Sequence, residues 1–392
     1  MKLNKGNWEL TKIGTVCQVL SGGTPSRKIV EYFDGDIPWI TPTEISKDRI
    51  SLVNKSKESL TELGLKKSSA RILPKGTILL TSRATIGLIA VSNRDLATNQ
   101  GFANFICDEK KLYNWYLAFW LLSKVNLIKS LSSGTTFKEI SKSTIRNLDI
   151  NLPPIEEQIL IASLFQSIEA AIEQVGIQEK NFKALWLKLI DEFVNERPSF
   201  GDLLMDKKLQ TVAYSKVTEK IMRRIDPISY GIEKIVAGEN LESEDFKIRT
   251  WQKVGEGYLG PAFHVLFKPG DILYGSRRTY LKKVAFANFE GVCANTTYVI
   301  RAKEKFILQD LLKHIMLSDR FTKYSIDVSK GSTNPYINWK DLDNFTFQIP
   351  DIETQKDIIK VLDDVVSLIE NLKTQQAQLR SLKQNLLNEI MG

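Results

Sequence analysis

Histidine and cysteine are scarce in this chain: His264 and His314, and Cys17, Cys107 and Cys293, are all there are among 392 residues. The cysteines are odd in number and far apart, which argues against a disulfide framework and fits a reducing compartment. No C-x-x-C and no H-E-x-x-H occurs, so no metal site is expected. Neither histidine lies near a nucleophile signature, so no residue is assigned as catalytic. There is no G-x-x-x-x-G-K-[ST], which excludes a P-loop ATPase. The longest apolar candidate, residues 115–122, falls far short of the roughly 18–20 residues of a membrane span. The opening Met1-Lys2-Leu3-Asn4-Lys5-Gly6 has no apolar signal core behind it. The expectation is a cytoplasmic protein with no membrane partner.

Apolar residues make up 43% and charged residues 26%, enough for packed cores and against wholesale disorder. At about 100–200 residues per domain the length suggests two or three domains. Net charge is +8, and its distribution says more than its sum. Residues 1–153 carry +9, 154–197 carry −4, 198–350 carry +5 and 351–392 carry −2. Basic, acidic, basic, acidic is a two-unit rhythm.

The sequence repeats with a period of about 197. Gly134-Thr135-Thr136-Phe137-Lys138-Glu139-Ile140 lies opposite Gly331-Ser332-Thr333-Asn334-Pro335-Tyr336-Ile337. Asn147 then faces Asn344, Pro153 faces Pro350, Glu156 faces Glu353 and Gln158 faces Gln355. At a slightly shorter offset, the block from Gly76 to Arg83 matches the block from Gly270 to Arg277.

A helical stripe follows each proline. The first runs Ile161, Phe165, Ile168, Ile172, Val175, Phe182, Trp186, Leu189, Phe193, broken at Glu179. The second runs Ile358, Leu362, Val365, Ile369, Leu372, Leu379, Leu386, Ile390, broken at Gln376 and Lys383. Steps of four and three are those of a heptad seam. Stripes this long and narrow favour helix packed on helix. Chain order favours an antiparallel pair, because a parallel pair would need a long return connection. Glu179 and Gln376 would then lie near a pseudo-two-fold axis, either as a polar layer that fixes register or as side chains pointing to solvent.

The fold class expected is α+β. Two similar mixed α/β globular domains, residues 1–153 and 198–350, are separated by long helices, 154–197 and 351–392. The helices pack as an antiparallel coiled coil, giving an internal repeat with pseudo-two-fold symmetry. Strands are predicted at 77–81, 87–91 and 100–107, then 271–274, 284–287 and 297–300, with helices at 113–130 and 308–318. The openings of the two domains look unlike. Trp8 and Gly22-Gly23-Thr24-Pro25 have no clean counterpart after Phe200.

Enzyme signatures fall short. Gly255 to Gly260 matches G-x-G-x-x-G, but no apolar strand precedes it and Pro261 sits where a helix should begin. Leu152-Pro153-Pro154-Ile155 lacks the polar residue that an amino-methyltransferase motif places first. Glu244-Asp245-Phe246-Lys247 reads as a solvated loop rather than a nuclease carboxylate–lysine set.

Nucleic-acid binding fares better. Ser82-Arg83-Ala84-Thr85 and Ser276-Arg277-Arg278-Thr279 follow β-type runs at the same place in each repeat. Arginine can bridge a guanine edge or clamp a phosphate, and hydroxyls add neutral phosphate contacts. Gly134-Thr135-Thr136 with Lys138, and Lys330-Gly331-Ser332-Thr333, are matched small, polar, basic loops whose amides can approach phosphate. Arg223, Arg224 and Lys282 are further candidates to neutralise backbone charge. The competing readings are a non-catalytic two-domain scaffold or ligand-binding protein on a coiled coil, and a self-contained enzyme.

Several motifs together resemble the specificity subunit of type I restriction-modification systems. They are Trp8 with Gly22-Gly23-Thr24-Pro25, Ile37-Pro38-Trp39-Ile40, Ser82-Arg83-Ala84-Thr85-Ile86-Gly87 and Thr98-Asn99-Gln100-Gly101. The most specific is Leu152-Pro153-Pro154-Ile155-Glu156-Glu157-Gln158, with its degenerate repeat Ile349-Pro350-Asp351-Ile352-Glu353-Thr354-Gln355. The resemblance implies two target recognition domains, each reading half of a split double-stranded DNA site, and a helical spacer that sets the gap. It implies two methyltransferase subunits docked along the helices, and restriction subunits. S-adenosylmethionine, ATP and magnesium are implied for those partners, with no cofactor bound by this chain. Asp351 for Pro154 and Thr354 for Glu157 are departures, so the two docking surfaces need not be equivalent.

Overall fold

The computed structural model describes residues 5–47, 49–133, 138–256 and 262–392. They divide into two compact units, 1–176 with 374–392 and 177–373. In the first, an apolar run buried on both faces, Ile78–Thr81, lies at the centre of a five-stranded sheet. The order is Cys17–Ser21, Phe102–Cys107, Ile78–Thr81, Ile89–Ser92 and Ser51–Val53. Leu79 pairs with Ala90 on one side and Asn104 on the other, both antiparallel. A three-stranded sheet joins Glu58–Leu60, Phe33–Ile40 and Ala97–Thr98. Glu9–Lys12 pairs antiparallel with Asp149–Leu152.

The second unit repeats this plan. Its central strand Ile272–Gly275 lies between Thr297–Ala302 and Val284–Phe286, with Thr218–Ile221 at the edge. Leu273 pairs with Ala285 and Val299, the counterpart of the Leu79 register. The parallel pair Trp39 with Ala97 and Ile40 with Thr98 recurs as Ile235 with Val292 and Val236 with Cys293. Gln210–Ala213 pairs with Thr346–Ile349 as Glu9–Lys12 pairs with Asp149–Leu152.

The unlike openings are thus built alike. Both run strand, four-residue helix, strand: Glu9–Lys12, Ile13–Val16, Cys17–Ser21 and Gln210–Ala213, Tyr214–Val217, Thr218–Ile221. A side chain reaches back across the helix in each, Cys17 Sγ to Ile13 O and Thr218 Oγ1 to Tyr214 O. What differs is the next step. A Cβ on Gly22 would fall 2.1 Å from Asn99 O, so the first unit needs glycine there.

Two 40-residue helices, Ile155–Val194 and Ile352–Met391, each give one half to each unit. Ile161, Phe165 and Ile168 share the first unit's core with Phe119, Leu387, Ile390 and Met391. The Phe119 and Phe165 rings lie 5.1 Å apart, a contact worth about 0.5–1.5 kcal/mol beyond area burial. Gln376 Nε2 donates to Ile172 O (3.2 Å), and Lys383 pairs with Glu169. Numbers rise on one helix as they fall on the other, so the halves run antiparallel. In the second unit Trp186, Ile190 and Phe193 share a core with Ile358, Leu362, Val365 and Ile369. Ile172, Phe182, Leu189, Leu379 and Leu386 are half-buried along the same stripes. Each stripe therefore serves two surfaces, the neighbouring helix and the sheet layer beside it.

By length and mean hydropathy (1.2 over 18 residues) the first long helix could cross a bilayer. Its apolar stripe, Ile161, Phe165 and Ile168, is instead packed into the protein core.

Gln376 lies on the seam as expected. A Cβ on Gly176 would fall 2.6 Å from its Nε2, so glycine makes the space its amide occupies. Glu179 is half-buried.

The most specific motif has a structural job. Gln158 Oε1 accepts from Tyr113 N (2.8 Å), and Nε2 donates to Lys111 O and Pro153 O (2.9 Å each). Gln355 does the same with Leu308 N (3.0 Å), Phe306 O (2.9 Å) and Pro350 O (3.0 Å). In both copies one amide ties the start of a long helix to the segment entering an earlier helix of the same unit, Asn114–Ser123 or Gln309–Ile315. The departures Asp351 and Thr354 are a matched pair. Asp351 accepts from Thr354 N and Thr354 Oγ1 (3.0 Å each), a side-chain cap that replaces the first helix's Pro154 start.

Candidate nucleic-acid interface

The central strand of each unit runs out at a serine, and there the two loop motifs meet. In the first unit Ser82 N donates to Gly101 O (2.8 Å), and Ile140 N donates to Ser82 O (3.1 Å). Ala84, at φ +60°, donates to Lys138 O (3.2 Å). In the second, Ser276 N donates to Thr296 O (3.0 Å) and Ile337 N to Ser276 O (2.9 Å). Arg278, at φ +52°, donates to Pro335 O (2.7 Å). Arg83 bridges Glu139 and Arg277 bridges Tyr336. The left-handed residue is what lets the turn fold back on the neighbouring loop, at a cost for any side chain with a Cβ. Each unit thus ends in a tip where an exposed arginine is fixed by main-chain bonds on both sides.

The tips differ in side chains. Arg83 donates through Nε and Nη2 to Glu139 Oε2 (3.0 and 2.7 Å). At the corresponding place the second unit has Tyr336, 42% exposed, and Arg277 has no ion pair among the described residues. Arg278 Nε donates to Tyr280 Oη (2.7 Å), with its guanidinium carbon 5.5 Å from that ring centre. Sequence reasoning misses Glu139, Tyr280 and Tyr336. The signal available is an aromatic two residues after Arg278 and the residue pairing of the two repeats.

Four expected contacts are corrected. Ser82, Ser276 and Thr279 are buried, and the serine hydroxyls donate to Gly101 O (3.3 Å) and Thr296 O (2.6 Å). They build the turns and do not present to a ligand. Lys282 is likewise committed, bonding Asp319 and Glu244 from a largely covered position. Thr85, Lys138 and Ser332 are exposed, and Lys330 is exposed with Asp341 at 3.3 Å. Gly134 and Thr135 lie outside the described residues. Arg223 and Arg224 are exposed but border the sheet of Phe263–Phe267, with Leu266 N on Arg223 O (2.9 Å). Arg223 also donates to Tyr230 Oη (2.7 Å).

Asp245 and Phe246 are not a solvated loop. Asp245 is 8% exposed and takes Lys373 Nζ (2.8 Å) and Arg249. Phe246 packs edge-on to Trp186, ring centres 5.3 Å apart. Glu370 receives Arg249 (2.9 Å) and Lys247 (2.7 Å). Its counterpart Glu173 takes Arg49. Each unit so clamps a loop onto a long helix with the same glutamate.

Burial pushes the thiols of Cys17 and Cys293 up to about 12, and Cys107 higher still, so none is poised as a nucleophile. Among the described residues no His, Cys, Asp and Glu group is arranged to hold a metal ion. Of the motif Gly255 to Gly260, only Gly255 and Glu256 are described, and Gly255 has φ +90° in a turn.

Comparisons with known proteins agree with this duplicated plan. The type I restriction enzyme MjaIX specificity subunit of Methanocaldococcus jannaschii is 29% identical over 405 residues, covering 96% of this chain and 90% of the relative. The MjaVIII specificity subunit of that organism is 23% identical, covering 98% and 92%. Among solved structures, the S subunit of a type I restriction-modification system from M. genitalium superposes at TM-score 0.57 with 12% identity, covering 99% of this chain and 97% of that one. A chain solved in work on complex assembly and conformational transition of the type I R-M system superposes at 0.63 with 18% identity, covering 100% and 99%. These likenesses carry the fold. The model for the type I restriction modification DNA specificity domain matches twice, at residues 5–181 and 214–381. The chain belongs to that family, as a non-catalytic DNA specificity subunit carrying the domain in duplicate.

Proposed function

We propose that this chain reads a bipartite double-stranded DNA site, one half with each tip, and directs adenine methyltransferase and restriction subunits to it. The target recognition domains are assigned to residues 1–153 and 198–350, and the spacer helices to 154–197 and 351–392. The observation that carries the reading is the duplicated tip: the same serine–arginine turn, locked by the same main-chain bonds to the same neighbouring loop, in both units. The proposed DNA contacts are Arg83, Thr85 and Lys138 with Gly134 and Thr135, then Arg277, Arg278, Lys330 and Ser332, with Arg223 and Arg224 as outlying phosphate contacts. Basic charge supplies salt-dependent attraction, and the tips supply base choice.

Two methyltransferase subunits are assigned to the helices. The two helices agree poorly overall, yet Gln178, Leu185 and Glu192 recur at offset 197 as Gln375, Leu382 and Glu389. All six are exposed, and each set is spaced by seven, one line along a helix face. Exposed positions have no packing reason to match, so an external partner met twice is the simplest cause. S-adenosylmethionine, ATP and magnesium are assigned to the partner subunits, and the setting to the cytoplasm. The test is binding of a duplex carrying the target site over a salt series, by the chain assembled with its methyltransferase partner. A steep loss of affinity with salt, sequence dependence in two separated half-sites and no turnover by the chain alone are expected. Salt-insensitive or absent DNA binding would contradict the reading.

A further inference from the structure

The two tips share a backbone but not a charge. Position by position, Ser82, Arg83 and Ala84 correspond to Ser276, Arg277 and Arg278, while Glu139 corresponds to Tyr336. In the first tip a carboxylate holds the arginine through two hydrogen bonds. In the second an aromatic ring stands in its place, and a second arginine replaces alanine.

We propose that the two tips grip DNA by different means: the second through free cationic charge, the first through an arginine whose charge Glu139 cancels. This rests on the reading of both tips as DNA-facing. A phosphate drawn to Arg277 meets a guanidinium with no carboxylate to release. A phosphate drawn to Arg83 must displace Glu139 or sit beside it, and either way the local charge changes little. The Arg83–Glu139 pair is half-exposed, with side chains 43% accessible each, so the bond itself is weak. What matters is the negative charge held at the tip. Arg83 therefore adds little to counterion release, which leaves Lys138 as the first tip's exposed cation with no ion pair among the described residues, and the second tip, with Arg277 and Arg278, carries the larger share. Glu139 in this view restrains affinity.

The experiment measures log affinity against log salt concentration for the chain assembled with its methyltransferase partner, on a duplex containing the target site. Removing one cation that neutralises a phosphate lowers the slope by about one. Arg277→Gln is expected to lower it by about one, and Arg83→Gln by less than half that. Glu139→Gln is expected to raise the slope by about one and to tighten binding several-fold at low salt. Tyr336→Glu, which transplants the first tip's carboxylate, is expected to match Arg277→Gln. Thermal melts of each complex identify any variant that fails to fold, and Tyr336→Glu and Arg277→Gln check one another. Equal losses from Arg83→Gln and Arg277→Gln, or no rise from Glu139→Gln, would overturn the division. A steep wild-type slope that none of the four variants moves would show the tips to lie off the DNA. A flat wild-type slope would instead remove the DNA reading itself.

Discussion

Trp186 Nε1 lies 3.2 Å from His314 Nδ1 and can only donate to it. His314 Nδ1 is therefore the bare nitrogen, and Nε2–H donates to Asp363 Oδ1 at 3.0 Å. The ring is 1% exposed, and one neutral histidine links a residue of each long helix to the helix Gln309–Ile315. Lys313 (3.1 Å) helps keep Asp363 a carboxylate. In the first unit the residue at offset 197 from Trp186 is Lys383. It stands 6.0 Å from the Phe119 ring centre and pairs with Glu169. One repeat solves this position with a neutral relay, the other with a covered ion pair.

The relay gives the second unit a pH dependence. Burial is the main cause that pushes the His314 imidazole below its ordinary value, against the opposing pull of Asp363. The unfolded chain, titrating near 6.5, takes up the proton first. His314 then contributes stability fully present above about pH 6.5 and lost as pH falls toward the folded value, by up to about 1.4 kcal/mol per pH unit. Urea midpoints of the wild type and His314→Gln should differ clearly at pH 7.5, and the gap should narrow as pH falls below about 6.5. A gap that stays constant would mean the ring is not held neutral.

Gln158 and Gln355 make the same three bonds, so they should cost the same to remove. Gln158→Leu or Gln355→Leu strands one amide and two carbonyl groups around a buried site, at about 3 kcal/mol for the set. Denaturant melts of the two variants should show losses of similar size, each well above that of an exposed control such as Gln178→Leu. A loss under about 0.5 kcal/mol in either would show the tie to be dispensable.

Lys383 and Glu169 are covered on nearly all sides, with side chains 12% and 13% accessible. Lys383→Met restores an apolar seam position but leaves Glu169 without its cation, a loss of about 3 kcal/mol. Pairing it with Glu169→Leu should recover most of that loss, because an apolar pair avoids the desolvation of both charges. A double-mutant cycle by chemical denaturation checks this. Additive losses would mean the two side chains do not depend on each other.

The long helices and central strands are legible because burial writes a period into the sequence. Ile161, Phe165 and Ile168 keep heptad steps since they face a core, and Ile78 to Leu80 are apolar throughout since both faces are covered. The openings are illegible for the opposite reason. Their shared strand–helix–strand is held by main-chain pairing, which many sequences satisfy, while Gly22 answers a close approach peculiar to the first unit. The tips are half legible. Two arginines at matching places are visible, but nothing local reveals that Ser82 turns inward or that Glu139, 56 residues from Arg83, supplies its counter-charge. Asp245 reads as solvated because its partner Lys373 lies 128 residues away.

Mapping methylated adenines in cells that carry this chain with its methyltransferase and restriction partners tests the central claim most directly. Two specified half-sites with a gap of fixed length are expected, with substitutions at Arg83 and at Arg277 weakening different halves. A single uninterrupted motif, or methylation that is unchanged when the chain is removed, would contradict it.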